Sequence, residues 1–180
     1  MRKIILNLAV SLDGFIEGPN GEYDWCLADQ DYGMEDFLNS VDTIFIGRKS
    51  YDMISADTSM FPVEKIYVFS DTLTNEEHNS NVELVTSAQF DETVDRVMNQ
   101  PGKNIWLFGG AEMVAVFMNK NLINTLLLSI HPIILGEGKA LFQNIKDRVD
   151  LILLDHKKYS SGLLQATYTL KPKNNIMKLV

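Results

Sequence analysis

The sequence predicts a layered α/β fold, a mostly parallel sheet covered by helices on both faces and closed by an antiparallel C-terminal hairpin. Three observations predict it. Apolar runs alternate with amphipathic segments along all 180 residues, the rhythm that demands crossovers and parallel pairing. Runs such as TIFIG and TLLLSI are apolar almost throughout, as in strands buried on both sides. Near the end, Leu151–His156 and Leu163–Leu170 flank a turn at Ser161-Gly162 and read as a hairpin.

The elements follow in order. Lys3 to Val10 is a first strand, leading into a turn-rich acidic stretch from Ser11 to Trp25. Met34 to Ser40 is a short helix. Thr43 to Gly47 is a buried strand running directly into a helix at Lys49 to Ile54. Lys65 to Ser70 and Val82 to Thr86 are the next strands. Thr86 and Gln89 have capping-box spacing, and the helix after them places Phe90, Val94, Val97 and Met98 on one face. Asn104 to Gly110 is a strand ending in two glycines, Ala111 to Met118 an apolar helix with Met113, Phe117 and Met118 facing the core, and Thr125 to Ile134 a further strand. No linker or repeat interrupts the chain, so residues 1–180 are expected to form one domain.

Composition narrows the function. Sixteen Lys and Arg against 24 Asp and Glu leave a net charge of −8, which argues against nucleic acid or an anionic membrane as partner. The single cysteine, Cys26, cannot form an internal disulfide, and no apolar stretch is long enough to span a bilayer. A cytoplasmic location is therefore expected. His78, His131 and His156 lie far apart in sequence, without HExxH or paired cysteines, so no metal site is expected.

In a parallel sheet of this kind, ligands bind outside the carboxyl ends of the strands. Gly109-Gly110 joins a strand to a helix, where backbone amides are free to meet a phosphate, although GxGxxG is absent. Gly47-Arg48-Lys49-Ser50 sets two cations at a helix start, where the macrodipole prefers acids. A bound anion explains them, and a solvated pair is the competing reading. Nine acids and no Lys or Arg lie between Asp13 and Asp42, read either as a solvated acidic face or as carboxylates beside a small substrate.

NLAVSLDGFIEG, IFIGRKSYDMI, YVFSDTL, IWLFGGAEMVAVFM and LSIHPIILGEGKALF, in that order, resemble the dihydrofolate reductase-like fold. The likeness is in particular to the reductase domain of bacterial riboflavin biosynthesis and its stand-alone relatives. The resemblance implies an α/β/α sandwich that binds NADPH and reduces a small heteroaromatic compound, and it suggests a homodimer. It implies that Gly47, Arg48, Lys49 and Ser50 clamp cofactor phosphate and that Ser70 contacts the adenosine 2′-phosphate. Gly109, Gly110, Ala111 and Glu112 would lie over the pyrophosphate. Asp13 would sit beside nicotinamide and substrate, Ser129 beneath the substrate ring, and Gly136 and Gly138 in the shared LG-x-G loop.

Departures from the family pattern shape the reading. Asp71 follows the serine of YVFS where relatives have arginine, which leaves NADH open beside NADPH. Glu64 stands where folate enzymes carry a carboxylate-binding arginine. Gln30 stands where they carry the protonating acid, with Asp29 and Asp31 as neighbouring stand-ins. DWCLADQDY lacks the arginine that would hold a ribose phosphate. The expectation is an NAD(P)H-dependent reductase of a small pterin- or pyrimidine-like ring. The alternatives are 5-amino-6-(5-phosphoribosylamino)uracil reduction and a non-catalytic nucleotide-binding dimer.

Overall fold

The computed structural model describes residues 1–55, 58–74 and 80–172; His78 lies outside them. Among these residues, ten strands and four α-helices occur in the order β1 (Ile4–Ser11), β2 (Phe15–Glu17), α1 (Met34–Ser40), β3 (Val41–Gly47), α2 (Arg48–Ile54), β4 (Lys65–Phe69), β5 (Val82–Val85), α3 (Phe90–Asn99), β6 (Asn104–Gly109), α4 (Ala111–Asn119), β7 (Thr125–His131), β8 (Lys139–Ala140), β9 (Leu151–Lys158) and β10 (Leu164–Leu170). Eight of the strands make one sheet in the order β5-β4-β3-β6-β1-β7-β10-β9. Neighbours from β5 to β7 pair in parallel, and β10 pairs antiparallel with both β7 and β9. The expected mixed sheet with an antiparallel end is therefore what forms.

Every residue of β3 is buried because alternate side chains enter two different cores. On one face, Phe45 joins Ile4, Leu6, Tyr67, Phe69, Ile105 and Leu107 beneath Val94 and Val97 of α3 and Val114 and Phe117 of α4. On the other, Ile44 and Ile46 join Ile66, Val68 and Trp106 beneath Phe37 of α1 and Tyr51 of α2. The capping box at Thr86 and Gln89 is present, opening a short 3-10 turn that leads into α3. Of the expected apolar face of α3, Phe90, Val94 and Val97 are buried and Met98 packs against them.

The end of β7 and one short strand pair depart furthest from expectation. β7 stops at His131 because Pro132 has no amide to donate, and the Ile133 amide turns back to the His131 carbonyl at 2.8 Å. The short pair β2 and β8 was not foreseen, since two or three residues carry no periodicity.

At the end of the sheet opposite the strand exits, a buried ion pair ties three strands together. The Arg2 guanidinium pairs with Asp42 at the start of β3 and donates to Thr43 Oγ1 (2.7 Å) and to the Lys103 carbonyl beside β6 (2.6 Å). The Lys103 amide in turn donates to Asp42 Oδ2 at 2.7 Å. Asp42 thus belongs to the framework rather than to an acidic surface. Breaking a buried pair from one side strands the other charge. Asp42→Ala is expected to lower unfolding free energy in urea by about 3–5 kcal/mol, while Arg2→Met combined with Asp42→Leu recovers most of that loss.

Candidate active site

Two clefts open where the strands exit, and they adjoin at the end of β6. The first, of about 640 Å³, is bounded by Gly47, Arg48, Lys49 and Ser50 from the β3–α2 junction, Phe69 and Thr72 beyond β4, and Gly110, Ala111, Glu112 and Met113 at the start of α4. Glu17 and Lys139, from the small β2–β8 pair, close its far side. At both junctions neighbouring side chains crowd the glycine. A Cβ on Gly47 would lie 2.8 Å from Met113 Cγ, and one on Gly110 would lie 3.3 Å from Ser50 Oγ.

This cleft is the basic one. Neither α2 nor α4 has a side-chain N-cap, and the first turn of α2 carries Arg48 and Lys49 without an acid. Arg48 donates to Thr72 Oγ1 and lies 3.6 Å from Asp52, while Lys49 reaches Glu112 at 3.2 Å. These are exposed pairs of the kind that contribute little and separate readily for a stronger anion. Lys139 is a third cation on the cleft wall, which no local pattern in the sequence marked.

The second cleft, of about 560 Å³, lies over the exits of β1, β6 and β7. Its floor is Asn7, Leu8 and Ala9 of β1, Trp106 and Phe108 of β6, and Ser129 and His131 of β7. The irregular segment from Cys26 to Tyr32 and the ring of Phe61 complete its walls. No Lys or Arg lines it among the described residues. Gln165 Nε2 orients the site by donating to the Tyr32 carbonyl (3.1 Å) and to Ser129 Oγ (3.4 Å).

The sequence-predicted residues divide between the clefts and their supports. Gly47, Arg48, Lys49, Ser50, Gly110, Ala111 and Glu112 line the first cleft. Ser129 and Asp31 line the second, with Gln30 beside them. Ser70 and Gly109 line neither. The Ser70 hydroxyl accepts from the amides of Thr72 (3.2 Å) and Leu73 (3.1 Å), so it shapes the turn that presents Thr72. Gly109 forms the strand end, joined to Gly110 by a cis peptide bond.

The acids behave unlike a proton-donating set. Asp31 accepts the amides of Gly33 (2.8 Å) and Glu35 (2.9 Å), fixing the entry to α1. The Tyr32 hydroxyl donates to Asp29 and holds its carboxyl below the usual range, and Asp29 lines neither cleft. Asp13 lines neither cleft as well. Its carboxylate accepts from the Ser11 hydroxyl (2.7 Å) and from the amides of Gly136 (2.8 Å) and Leu135 (3.2 Å). Asp71, expected to face the cofactor, is instead held by the Ser87 hydroxyl (2.6 Å) and amide (2.7 Å), bonds that keep its carboxyl below the ordinary value.

The profile of the RibD C-terminal domain matches residues 2–165. The chain belongs to that family. It is also 43% identical to the uncharacterized protein YyaP of Bacillus subtilis (strain 168), over 93% of this chain and 94% of that one. Among solved structures, it is similar to a Shewanella sp. PV-4 protein provisionally named for riboflavin biosynthesis, with TM-score 0.79 and 25% identity, covering 94% of this chain and 99% of the other. Dihydrofolate reductase from Enterococcus faecalis in complex with NADP(H) shares the fold, with TM-score 0.64 and 16% identity over 94% and 97% of the two chains. The expected dihydrofolate reductase-like fold and RibD-type membership thus hold.

Within this RibD-type domain, the SLDG and LG-x-G segments grip one another. Besides the Asp13 clamp, the Leu12 amide donates to the Ile133 carbonyl (2.8 Å) and the Leu141 amide to the Gly14 carbonyl (2.9 Å). Gly138, at φ +146°, approaches so closely that a Cβ would fall 2.2 Å from the Glu17 carbonyl oxygen. Burial pushes the Cys26 thiol up to about 11, with the charge of Asp24 adding to the effect, so the cleft holds a neutral thiol and not a nucleophile. Among the described residues no helix is long and apolar enough to cross a membrane, and no group of three or more His, Cys, Asp or Glu is placed to hold a metal ion.

The Ser11 hydroxyl, followed by the Gly136 and Leu135 amides, keeps the Asp13 carboxyl below its ordinary 3.8. A depressed acid contributes stability above its unfolded pKa and loses it as pH falls through the lower folded value. Asp13→Asn is therefore expected to speed hydrogen exchange at the Leu135 and Gly136 amides near neutral pH. The difference from wild type should shrink as pH drops below 3.8, followed by NMR or mass spectrometry.

Proposed function

We propose that the chain is a nicotinamide-nucleotide-dependent reductase that delivers hydride to a small conjugated ring of pterin or pyrimidine type. The observation that carries this reading is the pairing of clefts, a basic one and an aromatic one lined by no Lys or Arg among the described residues, on either side of Phe108–Gly110. A dinucleotide has an anionic end and a reactive ring end, and the acceptor it reduces must lie against the ring. Support for the cofactor comes from the bare backbone that Gly47 and Gly110 present on the cleft wall and from Arg48, Lys49 and Lys139 beside it. The bound nucleotide supplies the hydride.

The chain's own groups hold and sort the reactants. Arg48, Lys49 and Lys139 offset phosphate charge, and the amides at the start of α4 face the same space. Tyr32, Phe61, Trp106 and Phe108 offer aromatic walls to a flat ring and exclude water from it. Ser129 retains its hydroxyl hydrogen for the ring, since Gln165 donates to its oxygen. The carboxylates of Asp13, Asp29 and Asp31 are occupied by local donors, so the proton that completes reduction is not assigned to any of them. NADPH is favoured over NADH because Asp71 is turned to Ser87 and does not line the cleft. Reduction of the phosphoribosylated uracil is less well supported, because among the described residues no Lys or Arg lines the acceptor cleft to meet its phosphate.

A homodimer is part of the same proposal. All eight residues of β9 are exposed, with Leu151, Ile152, Leu153 and Leu154 between 40% and 58% accessible on an open sheet edge. An apolar edge strand is self-complementary under a two-fold axis, which is how such edges are covered without aggregation. The expected mass in light scattering is twice that of the chain, and Leu153→Lys should halve it.

Thermal-shift titration with NADPH and NADH tests the cofactor reading, since a ligand specific for the folded state raises its stability. NADPH is expected to raise the melting temperature at lower concentration than NADH. Arg48→Ala is expected to weaken NADPH by roughly 10- to 150-fold, the scale of one charge-assisted hydrogen bond, without lowering the melting temperature of the free protein. No shift with either nucleotide in a folded sample would instead support the non-catalytic reading.

A further inference from the structure

His131 takes no part in the roles assigned so far, yet it has an unusual position. The residue is 3% exposed, lies at the exit of β7 and lines the acceptor cleft. Its Nδ1 sits 2.9 Å from the Ser129 carbonyl oxygen. A carbonyl only accepts, so the ring hydrogen is on Nδ1, and in the neutral ring Nε2 presents a lone pair. Nε2 is buried and has no hydrogen-bond partner among the described residues. The indole of Trp25 meets the imidazole in a T-shaped contact, with centroids 5.3 Å apart and planes at 84°, which fixes the ring.

A buried acceptor without a partner is costly, and a residue present only for packing would be apolar or satisfied. From this we infer that His131 is the specificity-determining acceptor of the cleft, its Nε2 receiving a hydrogen bond from an N–H of a planar, uncharged heteroaromatic substrate. This assignment rests on reading the cleft as the acceptor site of a reductase. Three further features define the substrate class. The walls are aromatic, so the ligand is flat. Among the described residues no Lys or Arg lines the cleft, so a phosphate or carboxylate on the ring has no partner there. Asn7, 6% exposed on the same floor, and Ser129 add short polar groups suited to the edge of a ring bearing both donors and acceptors. The outer wall from Cys26 to Asp31 is irregular and largely exposed.

A site built around one hydrogen bond rejects the analogue that lacks the donor far more strongly than a greasy pocket does, because the analogue leaves the acceptor unpaired. The probes are lumazine, which carries ring N–H groups, and 1,3-dimethyllumazine, in which the N1–H and N3–H are replaced by methyl. Each is titrated calorimetrically into the full chain without nucleotide, in wild type, His131→Phe and His131→Gln. Wild type is expected to prefer lumazine by about tenfold or more. His131→Phe should abolish that preference by weakening lumazine alone, and His131→Gln, whose amide offers an acceptor, should restore part of it.

A preference that survives in His131→Phe overturns the assignment, as does failure of lumazine to bind wild type. If His131→Phe does not fold, His131→Gln decides. A preference equal to or above that of wild type then refutes the assignment, and a reduced but measurable one supports it. NADPH and NADH are titrated in parallel. Lumazine preference without nucleotide binding defeats the reductase reading and leaves the His131 assignment standing. Nucleotide binding without lumazine preference does the reverse.

Discussion

The geometry of both clefts depends on a register set at the opposite end of the sheet. Arg2, Asp42 and Lys103 stand at the entries of β1, β3 and β6, and their ion pair and hydrogen bonds allow these strands one alignment. Side chains alternate across a strand, so a slip of one residue would exchange the two cores and turn Asn7, Trp106 and Phe108 away from the cleft they line. Burial of the pair is what gives it this authority. A solvated pair would tolerate several registers, whereas two desolvated charges accept only the arrangement in which each meets the other.

Much of this architecture was legible because the responsible signals are local. Continuous apolar runs marked β3 and β7 as strands buried on both faces, and the Phe90, Val94 and Val97 spacing marked α3. The cations at Arg48 and Lys49 stood out because they contradict the dipole preference of a helix start, and the structure places both on a cleft wall. What escaped notice was produced by long-range contact. Lys139 reaches the basic cleft only because β8 pairs with β2, more than a hundred residues earlier in the chain. His131 is ordinary in sequence and becomes notable only when its second nitrogen is found buried and unpaired.

The carboxylates show the limit most clearly. Asp13, Asp29 and Asp31 have the composition of an acid–base cluster, and sequence cannot reveal which donors surround them. In the fold, a hydroxyl and two amides meet Asp13, a tyrosine meets Asp29, and the entry of α1 meets Asp31. Each is an anchoring carboxylate whose negative charge is wanted by nearby N–H and O–H groups. The same holds for Asp71, whose place after a conspicuous serine suggested a role in cofactor choice that its bonds to Ser87 do not support.

One short segment spans the two halves of the site. His131 lies in the aromatic cleft and Lys139 on the wall of the basic one. Midway between them, the Leu135 and Gly136 amides are pinned to Asp13, and Gly138 is pressed against the Glu17 carbonyl with no room for a side chain. A strut fastened at its middle and near one end cannot change length unnoticed. Inserting or deleting a single residue between 131 and 139 would carry either the imidazole or the ammonium out of its cleft, so this stretch must hold its length while the exposed loops elsewhere are free to vary theirs.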